Sequence, residues 1–367
     1  MSTSKSLIVR SVSQPLDLEI RNNPIPTAGP GSAVVQVLNA VINPAASFTL
    51  SVPVPNFQFP VPSIYGHSCI GRIVSVGQDS TSLREGQLVF VDSFITSRDD
   101  PDVEILMGLM DGGTPQSKKL ANEAWRDGCW TTHAVVPLEN AIPLDEDALV
   151  SKHGYDINEL CYMPRFAVAY GGVSSLSIKA GETVIVGPAT GGYGGAAAEV
   201  AAASGARVIA FGRNKGALAK LQSNIPHVET VVLTGDIEKD TAAFSAFGQA
   251  DAYIDFSPWQ VQNPPHLQAA IRSLRRRGRV SLMGGVTGDI SLPYWLIMMN
   301  SIELKGRWMY SRKEIRKVVK MVEMGVLKLG KSVGHEVVGE FALEDWEQAF
   351  GAAGKATSWG QSVVFTP

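Results

Sequence analysis

The stretch from residue 183 to 214, TVIVGPATGGYGGAAAEVAAASGARVIAFGRN, limits what this chain can fold into more than any other. Residues 183–186 are continuously apolar and end at glycine, which predicts a buried strand. Residues 192–203 are rich in alanine and predict a helix, and residues 207–211 predict a second buried strand. Strands and helices continue to alternate toward residue 309. This pattern is typical of an α/β fold with a doubly wound parallel sheet.

A glycine-rich turn joins the first strand to the helix. Without a Cβ atom, such a turn lets a pyrophosphate approach the backbone N–H groups of a helix N-terminus. Most glycine clusters are ordinary turns, so the position between strand and helix is what makes this one informative. The sequence therefore predicts a dinucleotide-binding turn made by Ala189, Thr190, Gly191, Gly192, Tyr193 and Gly194.

The end of the second strand indicates which dinucleotide binds. An NAD site normally places Asp or Glu there, but this chain has Gly212 and Arg213. A guanidinium can bind a 2′-phosphate, so the expected cofactor is NADPH. Asn214 and Lys215 could assist, although Asn214 could equally be only a helix cap, and Arg213 could be an ordinary surface residue.

Other cofactor residues are expected where later strands end. Phe256 follows the strand at 251–255, and Gly284 and Gly285 end the strand RVSLMGG, where they would let the nicotinamide approach the backbone. Trp308 and Tyr310 would border the nicotinamide ring, or else belong to a core between domains.

The 367 residues exceed the size at which one core usually keeps growing, which predicts two domains. Before residue 164, short β-rich runs alternate with Pro and Gly and predict an antiparallel, partly closed β-domain. Residues 98–128 interrupt it as a lobe with the helical-looking run VEILMGLM. The last runs, HEVVGEF and SVVFTP, predict a return to the first domain. The expected domains are 1–163 with 310–367, and 164–309.

Two helix starts can be located from their capping residues. Asn263 could cap a helix in which Pro264 takes the first position. Ser311 and Glu314 form a capping box. The helix that follows should bury one apolar face, made by Ile315, Val318, Val319 and Val322.

Composition argues against several partners. The net charge of −3 gives no reason to expect nucleic acid, and a cluster of five arginines between residues 272 and 279 more often faces solvent than phosphate. Three cysteines, with no C-x-x-C spacing, argue against a disulfide framework. We expect a cytoplasmic protein, because the sequence contains neither a secretory signal nor a membrane-spanning run.

The order of YGHSCIGRIVSVG, GCWTTHAVVP, VAYGGV, ATGGYGG and VIAFGRN resembles the medium-chain dehydrogenase/reductase superfamily along nearly the whole chain. Within that superfamily the sequence is similar to the zinc-free quinone-oxidoreductase and enoyl-reductase branch, especially its fungal members. The resemblance implies a GroES-like β-rich catalytic domain, a Rossmann domain and an active-site cleft between them. Members of the superfamily often pair through the edge strand near residues 302–305, so the resemblance suggests a homodimer, with a monomer as the alternative.

Zinc ligands of the superfamily are replaced in this chain. The resemblance aligns the three ligand positions with Asn43, with His67-Ser68 in place of His-Glu, and approximately with Pro164. One possible ligand cannot hold a catalytic zinc, which needs three protein groups. The residue that relays a proton in alcohol dehydrogenases falls near Ala45. We therefore expect no metal.

Reduction of a C=C bond conjugated to a carbonyl, or of a quinone, is easier without a Lewis acid than reduction of an ordinary ketone. Enones, quinones or polyketide-like molecules are thus the expected substrates. The candidate catalytic residues are Asn43, Tyr65, His67 and Tyr170, each of which also has a structural interpretation as a turn former or a packed side chain. A zinc-independent carbonyl reductase, a non-redox cyclase or isomerase, and an NADPH-binding scaffold remain alternatives.

Overall fold

A computed structural model describes residues 3–54 and 57–367. The predicted first domain includes residues 1, 2, 55 and 56, which lie outside the described residues. The chain divides into two compact units. The first unit comprises Met1–Cys161, Glu336–Thr357 and Gln361–Pro367, and the second comprises Tyr162–His335 and Ser358–Gly360.

The strands, in chain order, are β1 (Thr3–Ser11), β2 (Asp17–Pro24), β3 (Ser32–Val41), β4 (Ser63–Ile64), β5 (Cys69–Val76), β6 (Leu88–Val91), β7 (Phe94–Thr96), β8 (Glu104–Leu106), β9 (His133–Pro137), β10 (Ala141–Pro143), β11 (Thr183–Gly187), β12 (Arg207–Gly212), β13 (Val228–Val232), β14 (Ala250–Asp255), β15 (Leu274–Leu282), β16 (Glu303–Gly306), β17 (Glu336–Phe341) and β18 (Gln361–Phe365). The α-helices are α1 (Ala46–Ser51), α2 (Pro115–Lys119), α3 (Met163–Ser175), α4 (Gly192–Ala203), α5 (Lys215–Asn224), α6 (Ile237–Ser245), α7 (Pro265–Arg272), α8 (Tyr294–Asn300), α9 (Arg312–Glu323) and α10 (Trp346–Lys355).

The second unit is built on a parallel sheet with the strand order β13-β12-β11-β14-β15-β16. Its central strand, β11, is fully buried at Val184, Ile185 and Val186, as expected for a strand covered on both faces. The chain adds β12 and β13 on one side of β11 and then crosses back to add β14, β15 and β16 on the other side. The order of strands therefore reverses between β11 and β14. This order confirms the predicted doubly wound α/β fold, and in such folds ligands bind at the carboxyl ends of the strands near that reversal.

The first unit contains a mainly antiparallel sheet around β3, which pairs with β5, β9 and β18. The same unit contains Trp130, which is fully buried. The rings of Tyr65, Phe350 and Phe365 lie about 5 Å from that indole, with centroid separations of 4.9, 5.3 and 5.2 Å. This confirms the β-rich, GroES-like first domain, to which the last strand returns.

The run VEILMGLM is not helical, so that part of the prediction is wrong. Residues 104–106 form β8, which pairs with β7. Gly108 then turns the chain with φ of +66°, and a Cβ on it would lie 2.5 Å from the carbonyl oxygen of Gly66. Long-range packing against Gly66 and Gly128 therefore overrides the helix propensity of Leu and Met in this segment.

Asn263 does not cap helix α7, which begins one residue later than predicted, at Pro265. Asn263 instead adopts φ of +43°, and its side-chain oxygen accepts a hydrogen bond from the backbone N–H of Ser291 at 2.7 Å. Two consecutive prolines follow Asn263, and the second of them takes the first helical position. The amide of Asn263 is thereby used to hold a neighbouring loop.

Residues 310–335 belong to the second unit, whereas the sequence assigned them to the first domain. Helix α9 packs against α3 of the same unit. Its apolar face is buried as predicted, at Ile315, Val318, Val319 and Val322. The chain returns to the first unit only at Glu336, because α9 requires the surface of the second unit to cover that face.

Strand β16 forms one edge of the parallel sheet, and its four residues are all exposed. Helix α8, which precedes it, exposes the aromatic side chains of Tyr294 and Trp295. The homodimer implied by the resemblance would use this edge and stays a prediction. In the part of the chain that the structure describes, no helix is long and apolar enough to cross a bilayer.

Replacing Ser311 with alanine should destabilise the protein. The Ser311 side chain accepts from the Glu314 N–H, and the Glu314 carboxylate accepts from the Ser311 N–H. Loss of an N-cap side chain costs about 1 kcal/mol, which corresponds to roughly 2–4 °C in the midpoint of thermal unfolding. Calorimetry of Ser311→Ala against Lys313→Ala, an exposed change in the same turn, measures the difference. Equal midpoints for the two variants would contradict the prediction.

Candidate functional site

The predicted dinucleotide turn lies between β11 and α4. Gly191 is the N-cap of α4, and it has no side chain to bond the free N–H groups of the first turn. No acidic residue occupies that turn either. The first helical bond runs from the Gly195 N–H to the Gly191 carbonyl. The N–H groups before it thus lack intrahelical partners, which is the arrangement that binds anions at helix N-termini.

The glycines of this turn serve different purposes. A Cβ on Gly194 would lie 1.9 Å from the Pro188 carbonyl oxygen, which is too close for any side chain. A Cβ on Gly212 would lie 2.7 Å from the Thr190 side chain. Nothing lies within 4 Å of a Cβ built on Gly191. Gly194 and Gly212 are therefore required by packing, whereas Gly191 leaves open space in front of the turn.

Arg213 follows β12 and is exposed. Its guanidinium makes no hydrogen bond or ion pair with the part of the chain that the structure describes. Lys215 is exposed as well, and Asn214 caps α5 by accepting from the Ala217 N–H at 3.0 Å. The capping interpretation of Asn214 is therefore realised, and the charges of Arg213 and Lys215 are available to a ligand.

Sequence reasoning missed a segment that covers the turn. Residues 358–360 run beside it, with the Trp359 N–H bonded to the Thr190 carbonyl at 2.9 Å and Ser358 bridged to Gly191. A Cβ on Gly195 would lie 2.1 Å from the Trp359 ring. No local motif marks Trp359, because its role depends on a contact with a helix more than 150 residues earlier in the chain.

A buried carboxylate on α4, Glu199, is held by three donors. The Tyr162 hydroxyl donates to Oε2 at 3.3 Å, and the Trp359 indole N–H donates to the same oxygen at 2.9 Å. The His335 Nε2 atom lies 2.7 Å from Oε1. Burial, followed by the Glu199 charge, raises the pKa of the Tyr162 hydroxyl. Tyr162 is consequently a hydrogen-bond donor here, not an acid that ionises.

The carboxyl ends of β11, β14 and β15 are joined by backbone hydrogen bonds. The Phe256 N–H donates to Gly187 at 2.8 Å, and the Gly285 N–H donates to Ser257 at 2.8 Å. A Cβ on Gly284 would lie 2.4 Å from the Asp255 carboxylate. The structure thus brings Phe256, Gly284 and Gly285 to the edge of the sheet that carries the glycine turn.

The remaining candidates of the second unit differ in exposure. Tyr310 is buried, with 3% of its surface exposed, whereas Trp308 is 45% exposed. Tyr170 is half-buried on α3, and the next residue, Gly171, lies against the Met309 carbonyl. Tyr310 is therefore a buried side chain, and its place beside the nicotinamide ring stays a prediction.

In the first unit, Asn43 forms a turn, since its side-chain oxygen accepts from the Ala45 N–H at 2.8 Å. Tyr65 is fully enclosed, and its hydroxyl lies 3.3 Å from the Thr49 hydroxyl. Burial raises the pKa of Tyr65 well above its ordinary value, although the Thr49 hydrogen bond lowers it somewhat. His67 is largely buried, with Nδ1 3.4 Å from the Ser68 hydroxyl.

The side chains do not form a zinc site. Over residues 3–54 and 57–367, no grouping of three His, Cys, Asp or Glu could hold a metal ion. Cys69, Cys129 and Cys161 are buried and form no disulfide. A catalytic zinc would need three protein ligands, so the residues present do not fit it.

Two members of the arginine cluster have structural partners. Arg275 pairs with Asp251 at 2.5 Å, and Arg279 pairs with Glu182 at 2.7 Å. Both arginines lie on β15, while Asp251 lies on β14 and Glu182 directly precedes β11. These ion pairs therefore link strands of the parallel sheet. The sequence indicated only that the cluster faces solvent, so these partners of Arg275 and Arg279 are a finding of the structure.

Two family models match the sequence. One, described as alcohol dehydrogenase GroES-like domain, matches residues 29–146, and the other, described as zinc-binding dehydrogenase, matches residues 192–324. Together they cover more than half of the chain. With the parallel sheet and the glycine turn in place, they show that the chain belongs to the medium-chain dehydrogenase/reductase family of oxidoreductases.

Individual relatives are distant. An L-threonine 3-dehydrogenase of Ruegeria pomeroyi is 26% identical over 80% of each chain. A Sinorhizobium meliloti 1021 protein solved with bound NADP has a TM-score of 0.73 at 18% identity, covering 100% of each chain. A short chain alcohol dehydrogenase of Escherichia coli CFT073, complexed with NADH, has a TM-score of 0.76 at 18% identity and the same coverage. These two structures show a shared fold.

The glycines of the turn can be separated by their effect on stability. Gly194→Ala should lower the free energy of unfolding by about 1–3 kcal/mol, because its methyl group overlaps the Pro188 carbonyl. Gly191→Ala is the matched control, since it adds the same methyl group to open space at an ordinary φ of −91°. Thermal unfolding of both variants tests this, and an equal loss in both would show that packing does not distinguish the two glycines.

Proposed function

We propose that the second unit binds NADPH at the turn from β11 to α4. The free N–H groups of α4 would hold the pyrophosphate, and Arg213 would hold the 2′-phosphate. The observation that carries this proposal is the exposed guanidinium of Arg213 at the end of β12, where an NAD site would place a carboxylate. The relatives solved with NADP and with NADH support a nicotinamide dinucleotide without choosing between the two.

Removing the Arg213 side chain should change the choice of cofactor. A charge-assisted hydrogen bond contributes about 1.5–3 kcal/mol, and an exposed one lies at the lower end, so Arg213→Ala should weaken NADPH binding roughly 10-fold or more. NADH binding should stay within about twofold, because NADH has no 2′-phosphate. Calorimetric titration of both cofactors measures the ratio. Arg316→Ala, an exposed arginine on α9, is the control for a general loss of positive charge.

We further propose that the reaction is a zinc-independent reduction of a C=C bond conjugated to a carbonyl, or of a quinone. Bound NADPH would supply a hydride. In either substrate the negative charge that develops is delocalised into an enolate or a hydroquinone oxygen, so a weak acid suffices where a ketone would need a Lewis acid. The absence of three suitable ligand side chains among the described residues supports this choice over a zinc alcohol dehydrogenase mechanism.

The proton donor is best sought at His67. Histidine is the side chain that most often acts as a general acid or base, whereas burial makes Tyr65 a weaker acid than a free tyrosine. Tyr170 is half-buried and remains a second candidate. Asn43 uses its side-chain oxygen in a turn, which leaves its amide nitrogen as the group that could donate to a ligand.

A substrate panel separates the candidate functions. NADPH oxidation, followed by its absorbance, should be faster with enones or quinones than with saturated ketones of matched size. Faster turnover of the ketones would instead identify a carbonyl reductase. Product formation without NADPH consumption would identify a cyclase or isomerase, and tight NADPH binding without any turnover would indicate a binding protein. The Arg213→Ala variant, assayed with NADH, serves as the control for cofactor loading.

A further inference from the structure

A buried chain of three polar side chains lies at the carboxyl end of β14. The Ser257 hydroxyl donates to Asp255 Oδ1 at 2.6 Å and lies 2.8 Å from Nε2 of His266, which belongs to helix α7. The separation of that nitrogen from Asp255 Oδ1 is 3.8 Å, which is too long for a hydrogen bond. Ser257 therefore bridges the histidine and the carboxylate, and all three residues are buried.

The number of available protons fixes the direction of each bond in this chain. Tyr253 also donates to Asp255 Oδ1, at 2.8 Å. Burial, followed by the Asp255 charge, raises the pKa of the Tyr253 hydroxyl, so this group keeps its proton. Ser257 has a single hydroxyl proton, and Asp255 receives it. The Ser257 oxygen must then accept from His266, which therefore carries a proton on Nε2.

Ser257 connects this chain of bonds to the backbone around it. Its N–H donates to Asp255 Oδ2 at 3.3 Å, and its carbonyl accepts from the Gly285 N–H at 2.8 Å. A Cβ on Gly284 would lie 2.7 Å from the Ser257 carbonyl oxygen. The segment that follows β15 is thus packed directly against Ser257, so a shift of Ser257 has to move Gly284 and Gly285.

Packing fixes the position of the His266 ring. The ring centroid lies 5.1 Å from that of Phe211, the fully buried residue before Gly212. Leu267, Ala269, Ala270 and Ile271, which follow His266 on α7, belong to the apolar core of the second unit. The donor that holds Ser257 is therefore carried by a packed helix, which is how a supporting residue keeps a site in one geometry.

We propose that His266 is a positioning residue for the nicotinamide end of the cofactor. It acts through Ser257, which holds Gly284 and Gly285, and Phe256 lies between Ser257 and Asp255. The sequence predicts Phe256 and both glycines beside the nicotinamide, so this proposal rests on the proposed NADPH binding. Loss of the His266 bond should therefore weaken the binding of the nicotinamide end and leave the adenine end unchanged.

A fragment of the cofactor separates the two ends. 2′-Phospho-ADP-ribose contains all of NADPH except the nicotinamide. His266→Phe keeps an aromatic ring beside Phe211 but removes the donor. In this variant the dissociation constant of NADPH should rise about 3- to 10-fold, as expected for one lost hydrogen bond, while that of the fragment changes less than about twofold. Calorimetric titration measures both constants.

The fluorescence anisotropy of bound NADPH reports directly on the reduced nicotinamide ring. It should fall in His266→Phe, because the ring is held less tightly. His266→Gln provides the rescue, since the glutamine amide can donate from about the place of Nε2. This variant should recover both the anisotropy and the NADPH affinity to within about twofold of the wild type.

Tyr253→Phe is the matched control. It removes another buried donor to the same Asp255 oxygen, but the lost bond does not involve Ser257. Both ligands should keep their affinity to within about twofold in this variant. Ser257→Ala removes the bridge itself and should reproduce the selective loss of NADPH affinity. Combined with His266→Phe it should add little, because both changes break the same chain of bonds.

Each variant is titrated only after its unfolding midpoint is found within a few degrees of the wild type. If His266→Phe fails that criterion, Ser257→Ala, which removes one oxygen atom, decides. Equal losses for NADPH and 2′-phospho-ADP-ribose, no loss for either, or the same selective loss in Tyr253→Phe would overturn the proposal for His266. Normal binding of NADPH by the wild type would leave the proposed function intact in each case.

Failure of the proposed function gives a different result. A wild-type protein that binds neither NADPH nor NADH overturns both proposals. If the wild type binds NADH as tightly as NADPH, the NADPH preference is overturned, and ADP-ribose then takes the place of 2′-phospho-ADP-ribose. A selective loss of NADH against ADP-ribose in His266→Phe would still support the positioning role.

Discussion

The close approach of helix α4 to strand β11 is the constraint on which the rest of the second unit depends. The carbonyl oxygen of Pro188 occupies the place where any side chain on Gly194 would begin. Only glycine permits that distance, and the alanines that follow keep the helix near the sheet along its length. The free N–H groups of α4 are thereby fixed at the carboxyl edge of the sheet, where β12, β14 and β15 also end.

A second consequence of this packing is the buried network around Glu199. Tyr162 and His335 are the first and last residues of the main segment of the second unit, and Trp359 is the middle residue of its short segment. All three bond to the one carboxylate on α4. Burying a carboxylate costs free energy unless it is fully hydrogen-bonded, so all three donors are needed. Their bonds to Glu199 hold the segments where the chain enters and leaves this unit against helix α4.

Family membership and local chemistry constrain the function to different degrees. The family models define an oxidoreductase with a GroES-like domain. The relatives include a threonine dehydrogenase, whereas the side chains of this chain do not form a zinc site in the part that is described. The reaction class therefore follows from which acids and cations the site contains, because one fold supports many chemistries.

Sequence alone was sufficient for three local signals, although the local cap signal at Asn263 failed. The apolar run at 183–186, the glycines after it and the capping box at Ser311 each combine a periodicity with a terminal residue, and the structure realises all three. The segment 103–110 was misjudged as helical, since Gly108 turns in response to Gly66 and Gly128, which are distant in sequence. The end of the second unit was misplaced for a similar reason, because the apolar face of α9 is covered by α3.

What the sequence by itself determined is therefore the doubly wound sheet, its glycine turn and the cation that follows β12, because strand and helix periods and a missing Cβ are properties of neighbouring residues. Only the tertiary structure placed Trp359 over the turn, Arg165 against Gly192 and three donors around Glu199. Those contacts join helices and loops that are separated by tens to more than a hundred residues, and no local pattern records which distant side chain will fill the space beside a glycine.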